Sequence, residues 1–310
     1  MSDTLLITGG AGFIGSSIAR AALERGDSVR VIDDLSTGRR TNLDGLDVEL
    51  FEASILDDAT LKQAMRGCRT VFHLAGQVSV PRSLEAPELT HAVNATGSMA
   101  VYEAARSAGV ARVVYSASCA AYGQAATLPI HETTPLSPES PYAASKLVGE
   151  LYGAAWSASM DLEVASLRYF NVYGPRQNPE GGYAAAIPAF ITRLLQGDPI
   201  TIFGDGEQTR DFVFIDDVVR ANLLAAEAPG AAGKVVNIGS GQRISVNMLV
   251  ETLQTLIASD STVTHGPGRH GEVRHSVADT RAAAELLNFS TAVSLAQGLA
   301  RTVAWYREDT

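Results

Sequence analysis

A chain of 310 residues has room for one large domain or two medium ones, and 46% hydrophobic with 19% charged residues is a globular balance. The formal net charge of −10 argues against a general binder of nucleic-acid backbones. It leaves open a local basic pocket for a small anion.

In chain order, "TLLIT" (4–8), "SVRVID" (28–33), "VELFE" (48–52), "TVFHLA" (70–75), "ARVVYS" (111–116) and "EVASLR" (163–168) read as buried strands. Between them, 12–25, 58–66, 88–108 and 142–158 have helical patterns. This alternation predicts an α/β fold, a doubly wound parallel sheet with helices on both faces. Beyond about residue 170, Pro and Gly become frequent, strands shorten, and helices are expected at 216–227, 245–258, 279–287 and 292–306. Residues 1–170 are read as the dinucleotide-binding domain. Residues 171–310 are read mainly as a smaller substrate-binding domain, with later segments free to return to the first.

"TGGAGFIG" follows the first strand and opens the first helix, and Gly9, Gly12 and Gly15 have the spacing of a dinucleotide turn. Asp33 ends the second strand, where an acid binds adenosine ribose hydroxyls and repels a 2′-phosphate, so NAD is expected. Arg39 and Arg40 follow and argue the other way, unless they belong to a solvated loop, which is the reading preferred. Tyr142 and Lys146 stand at i and i+4, on one face of a helix. An ammonium beside a phenol, with the positive ring of an oxidised cofactor, is expected to lower the phenol's pKa towards neutrality and make it a base. In "SASCAAYG" (116–123), Ser118 is the candidate to hold the substrate oxygen. Ser116 is expected to cap the strand end. Cys119 has no neighbouring base in sequence and is read as structural or steric.

At this point the chain resembles the extended short-chain dehydrogenase/reductases, and among them the nucleotide-sugar 4-epimerases. The likeness rests on "TGGAGFIGS", "DDLSTG", "VFHLAG", "SASCAAYG", "SPYAASK", "LRYFNVYGP", "GDGEQTRDFVFIDDV" and "RHGEVRHSVAD", in that order. It implies a Rossmann-type sheet and a UDP-sugar substrate. Tyr142 would take the proton from the sugar 4-hydroxyl, and hydride would pass from C4 to NAD and return to the opposite face of a 4-keto sugar. Lys146 would tune Tyr142 and hold the nicotinamide ribose. The implied cofactor contacts are Gly9, Gly12, Phe13, Ile14, Asp33, Leu74, Ala75, Gly76, Asn94 and Tyr169, with Tyr142 and Lys146. Ser54 stands where the family has an acid near adenine, so the serine or the backbone of Ile55 would serve instead. The implied substrate contacts are Asn171, the diphosphate arginines Arg210 and Arg269, Phe203 at the uracil, and Ser276. Ser276 is small, and so would admit UDP-GlcNAc and UDP-GalNAc besides UDP-glucose and UDP-galactose.

Relatives with other chemistry differ in the opening loop. Sugar-nucleotide 4,6-dehydratases resemble "STDEVYG" and UDP-glucuronate decarboxylases carry a glutamate there, whereas this chain has Cys119 and Ala120. Glucuronate 4-epimerases resemble "YFTVYGPRQRPD", against which Asn171 and Asn178 are departures. A non-catalytic NAD-binding regulator is the reading from another class, and such proteins tend to lose the tyrosine or lysine. No metal is expected. The resemblance also implies a homodimer through the helices at 88–108 and 142–158. Two cysteines, an N-terminus without a signal-peptide pattern and no apolar run of the ~18–20 residues that span a bilayer point to the cytoplasm, with no membrane partner.

Overall fold

The computed structural model describes residues 3–179, 185–268 and 273–309. The first six strands fall on the predicted apolar runs: β1 (Thr4–Thr8), β2 (Ser28–Asp33), β3 (Val48–Glu52), β4 (Thr70–His73), β5 (Arg112–Ser118) and β6 (Glu163–Tyr169). After them come β7 (Asn171–Tyr173), β8 (Ile200–Phe203), β9 (Thr209–Arg210) and β10 (Phe212–Phe214). Then β11 (Val235–Ile238) returns to the central sheet, and β12 (Ile244–Ser245) and β13 (Val263–Gly266) complete the strands. The helices are α1 (Phe13–Glu24), α2 (Asp58–Met65), α3 (Val80–Glu85), α4 (Pro87–His91), α5 (Gly97–Ser107) and α6 (Pro141–Ser159). They continue with α7 (Ala186–Gln196), α8 (Ile215–Glu227), α9 (Val246–Ile257), α10 (Arg281–Leu287) and α11 (Leu295–Asp309).

The central sheet has seven parallel strands in the order β11-β6-β5-β4-β1-β2-β3. Alternate residues of one strand feed opposite cores, as the pleat requires. Leu5 and Ile7 pack with Ile18 and Ala22 of α1 and Val218 and Ala221 of α8, while Leu6 packs with Leu61 of α2 and Val101 and Ala105 of α5. The chain winds outward from β1 to β3, then crosses back to β4. A crevice therefore opens outside the carboxyl ends of β1 and β4, where such sheets bind ligands. Thr8 and His73 face each other in register there, with Tyr115 beside His73 on β5.

The structure differs from the sequence reading in two places. The single helix expected at 88–108 is two helices joined by a π turn over Ala92–Thr96. A wide turn of this kind re-aims side chains and is common at functional sites, and it carries Asn94. Helices α3 and α7 lie where the sequence reading places no helix, and each carries a proline in its first turn, Pro81 and Pro188. Later in the chain, β11 pairs with β6 and α8 packs on α1. Among the described residues no helix is long and apolar enough to cross a membrane.

One buried ion pair ties the helix bearing Tyr142 to the sheet. The Arg168 guanidinium on β6 donates to both oxygens of Glu150 on α6, at 2.8 and 2.5 Å, and both side chains are at most 5% exposed. Replacing Glu150 by Gln breaks the pair and leaves a buried cation, which should cost ~3–5 kcal/mol. An unfolding free energy from chemical denaturation lowered by that amount is the expected result.

Candidate active site

Glycine geometry makes the turn after β1 a cradle. Gly9 has φ +71°, and a Cβ there would stand 2.7 Å from the Ala75 backbone nitrogen. A Cβ on Gly15 would stand 2.2 Å from the Gly9 carbonyl oxygen, so α1 can seat on the turn only with glycine at that position. Gly12 is the N-cap of α1 and provides no side-chain cap. The first-turn N–H groups, including those of Phe13 and Ile14, therefore point at the crevice without helical partners, a ready site for a pyrophosphate.

Asp33 reaches this turn from β2. Its carboxylate accepts the Ala11 N–H at 2.9 Å and the Leu35 N–H at 2.8 Å. Burial pushes its pKa up, and those two bonds oppose the rise. Each oxygen keeps acceptor capacity for a ribose hydroxyl. Arg40 is ion-paired with Glu52 and Arg39 donates to Asn178 at 2.9 Å, so both arginines have partners outside the Asp33 cradle. Ser54 accepts the Leu56 N–H at 3.2 Å and thus serves its own turn, and Ile55 is buried.

Leu74, Ala75 and Gly76 continue β4 and are half-buried. A Cβ on Gly76 would stand 3.0 Å from Asn94 Oδ1 and 3.3 Å from Lys146 Nζ, so this strip is open only as far as a glycine allows. Asn94 is held on three sides: Oδ1 accepts the Gln77 N–H at 2.7 Å, and Nδ2 donates to the Gln77 carbonyl at 2.9 Å and the Ser145 hydroxyl at 3.0 Å. Gln77 Nε2 is buried with no partner among the described residues, a donor left for a bound group. The glycine cradle, the caged acid and this donor fit a dinucleotide. Tyr169 presents a different picture: its ring is buried in the core and its hydroxyl donates to Asn222 at 2.8 Å, so only its backbone faces elsewhere.

Tyr142 and Lys146 lie in the first two turns of α6, which starts at a Ser140 cap followed by Pro141. Lys146 is buried, and its Nζ donates to the Ser116 carbonyl at 2.9 Å and the Ser116 hydroxyl at 3.2 Å. Burial lowers its pKa to about 8. Here the expectation for Ser116 is corrected: β5 runs two residues beyond it, and it grips the lysine instead of capping the strand. The Ser118 hydroxyl accepts the Ala120 N–H at 3.2 Å, so it caps the turn Cys119–Tyr122. It also stands near enough to the Tyr142 phenol to pull its pKa down. The lowering of Tyr142 by Lys146 is not seen. Burial raises the phenol's pKa, Ser118 offsets part of that, and the lysine charge is directed to Ser116. Burial also pushes the Cys119 thiol up to about 12, so it stays protonated, in keeping with a steric role.

Sequence reasoning missed a buried relay behind this site. His73 lies between the Thr8 hydroxyl at 2.8 Å and the Ser98 hydroxyl at 2.9 Å. Thr8 accepts from the Ala75 N–H and Ser98 donates to the Asn94 carbonyl, so His73 accepts at Nδ1 and donates at Nε2. Burial and the nearby Lys146 charge lower its pKa to about 3, which keeps it neutral. The motif "VFHLAG" contains this histidine, but only the register of β1 against β4 shows its partners.

The substrate candidates come from four segments. Asn171, half-buried, donates through Nδ2 to the Asp211 carbonyl at 2.9 Å. Arg210 donates to the Thr209 carbonyl at 3.0 Å, and the buried Ser276 bonds its own N–H to that same carbonyl at 3.1 Å. Phe203 is 38% exposed at the end of β8. Arg269 lies outside the described residues.

The profile of the NAD-dependent epimerase/dehydratase family matches residues 5–239. The chain is 39% identical over 308 residues to the UDP-glucose 4-epimerase of Mycolicibacterium smegmatis, covering 97% of this chain and 98% of that one. The chain belongs to the NAD-dependent epimerase/dehydratase family. Its cofactor is NAD, and it is an isomerase of the epimerase type. A crystal structure of the Thermotoga maritima UDP-glucose 4-epimerase with UDP-glucose superposes with a TM-score of 0.95 at 39% identity, covering 99% of both chains. The UDP-N-acetylglucosamine 4-epimerase of Methanobrevibacter ruminantium, in complex with UDP-N-acetylmuramic acid, does so at 0.95 and 35% identity, over the whole of both chains. Dehydratases of dTDP-glucose and a UDP-glucuronate 4-epimerase are also relatives, at 32–37% identity.

Lys146 gives the site a pH signature. Its folded pKa lies below the ordinary 10.5, so the cost of burying its charge is present in full below about pH 8 and is relieved as the pH rises towards 10.5. NMR of isotope-labelled lysine side chains should show a signal titrating near pH 8 that is absent from Lys146→Gln.

Proposed function

We propose that the protein is a 4-epimerase of UDP-sugars, acting on UDP-glucose and UDP-galactose and also on UDP-GlcNAc and UDP-GalNAc. The observation that carries this is a Tyr142 phenol beside Ser118 in a loop whose next two residues, Cys119 and Ala120, supply no acid or base. Proton transfer is then confined to one side of the sugar ring. A dehydratase or decarboxylase needs a second titrating group where Cys119 and Ala120 stand, which argues against both. For a glucuronate 4-epimerase, Asn178 stands where a carboxylate-binding arginine belongs, and it is engaged by Arg39.

Bound NAD would supply the hydride acceptor and donor for oxidation and re-reduction at the sugar C4, with a transient 4-keto sugar between. The protein's own groups handle the proton and the geometry. Ser118 orients the substrate hydroxyl towards Tyr142, which takes the proton on oxidation and returns it on reduction. The phenol sits in the first turn of α6, where the helix end stabilises a phenolate. An ammonium has three donors, and Ser116 uses two of them. The third is free for a hydroxyl of the nicotinamide ribose. Arg210 and Arg269 would clamp the diphosphate, with Asn171 and Phe203 holding the sugar and the uracil.

Tyr142→Phe should keep the fold and the bound NAD and lose ~10²–10⁴-fold in kcat, measured by chromatographic conversion of UDP-glucose. Full activity in that variant would overturn the mechanism. Ser276→Tyr fills the wall beside the sugar 2-position. It should abolish turnover of the two acetylated sugars and spare the plain hexoses, and equal loss of both would sink the specificity reading.

A homodimer through α5 and α6 and a cytoplasmic location complete the proposal. Met99, Leu151 and Tyr152 on those helices are 39%, 59% and 38% exposed, an apolar strip on a surface rich in charge. Cys68 and Cys119 are free thiols, as a reducing compartment favours. Sedimentation should give twice the chain mass for the native protein and a monomer for Leu151→Glu/Tyr152→Glu.

A further inference from the structure

Resting on the epimerase reading, we propose that Asp211 is the positioning residue on which the sugar-nucleotide half of the site is assembled. It is 0% exposed, and its carboxylate accepts four hydrogen bonds from two segments far apart in sequence. Oδ1 accepts the Ser240 N–H at 2.7 Å and the Ser240 hydroxyl at 2.6 Å, and Oδ2 accepts the Gly241 and Ala278 N–H groups, both at 3.0 Å. A third segment hangs from its main chain, where the Asp211 carbonyl accepts the Asn171 N–H at 3.0 Å and the Asn171 side-chain amide at 2.9 Å.

Three of the candidate substrate groups are tied to this residue. Arg210 is its neighbour, Asn171 bonds to it directly, and Ser276 is two residues from the Ala278 it holds. The carboxylate has no slack: a Cβ on Gly239 would stand 2.8 Å from Oδ2. It also lies near enough to Cys119 for its charge to act on that thiol, which brings the substrate half up to the catalytic loop. A buried carboxylate with every oxygen satisfied by backbone donors fixes those donors in space. An amide in its place would turn an NH2 group against N–H groups and push one segment away. None of the four bonds touches Ser118, Tyr142, Lys146 or the glycine turn. The effect should therefore fall on substrate binding and leave the cofactor and the chemical step largely alone.

The test uses the full chain with its bound NAD and the variants Asp211→Asn and Ser240→Ala. UDP affinity is measured by calorimetry, KM and kcat with UDP-glucose, and NAD retained per chain by absorbance. A lost hydrogen bond to a buried charge is worth ~1.5–3 kcal/mol. UDP Kd and KM should therefore rise about tenfold or more in Asp211→Asn and about threefold or more in Ser240→Ala. NAD content and kcat should stay within about twofold of native. Unchanged KM and UDP affinity in both variants overturns the proposal, as does a loss of NAD that matches the loss of UDP affinity, the mark of a merely structural role. If Asp211→Asn does not fold, Ser240→Ala decides by the same readings. A native protein that neither binds UDP nor converts UDP-glucose overturns the epimerase reading itself, whereas native turnover with an unshifted KM in the variants overturns only the role of Asp211.

Discussion

Burying an ammonium costs several kcal/mol unless hydrogen bonds replace its lost water, and Lys146 recovers them from one residue, Ser116 on β5. That requirement fixes how α6 crosses the sheet, because only one rotation of the helix brings Nζ to the Ser116 carbonyl. Tyr142 is then carried, one turn earlier, to the loop that holds Ser118. Ser145, on the adjoining face, reaches Asn94 and bonds back to the Tyr142 carbonyl at 2.8 Å. The Glu150–Arg168 pair holds the next turn of the same helix to β6. The position of the phenol follows from where the lysine can be solvated.

The polar interior behind the site is continuous. Thr8, His73, Ser98, Asn94 and Ser145 come from β1, β4, α5, the π turn and α6, and each hydroxyl or ring nitrogen has a partner. A network of this kind is favourable only when complete. It also removes the rotational freedom of Asn94, beside which the strip Leu74–Gly76 faces the crevice. The π turn is the local distortion that the network requires. A regular helix through 92–96 would rotate Asn94 away from Gln77.

The two halves of the site differ in how they are held. On the cofactor side, glycine turns and helix ends offer backbone N–H groups, and rigidity comes from packing of α1 on the sheet. On the side proposed for the substrate, short strands pair two at a time, and the buried Asp211 carboxylate ties residues 240–241 and 278 to its own segment. Electrostatics also divides the labour. The lysine stays charged up to about pH 8, while the thiol of Cys119 and the ring of His73 are kept neutral by burial.

Local pattern was sufficient for the six apolar strands, for α1 with its glycine turn, for Asp33 at the end of β2, and for the pairing of Tyr142 with Lys146 on one helix face. Each of these depends on residues within a few positions of one another, so hydrophobic period and turn chemistry reveal them. Other features depend on which strands become neighbours, and no local signal carries that. Ser116 looked like a strand-end cap because its partner is 30 residues away, and His73 looked like an ordinary strand residue because its partners lie on β1 and α5. Asp211 was passed over beside the more conspicuous Arg210, since its donors come from residues 240, 241 and 278. By itself the sequence determined the fold class, the dinucleotide turn and the tyrosine–lysine pair. Only the tertiary structure decided how the lysine is solvated, why the phenol is raised by burial, and which distant donors the buried Asp211 carboxylate gathers, because desolvation and long-range hydrogen bonds exist only once the chain has closed around them.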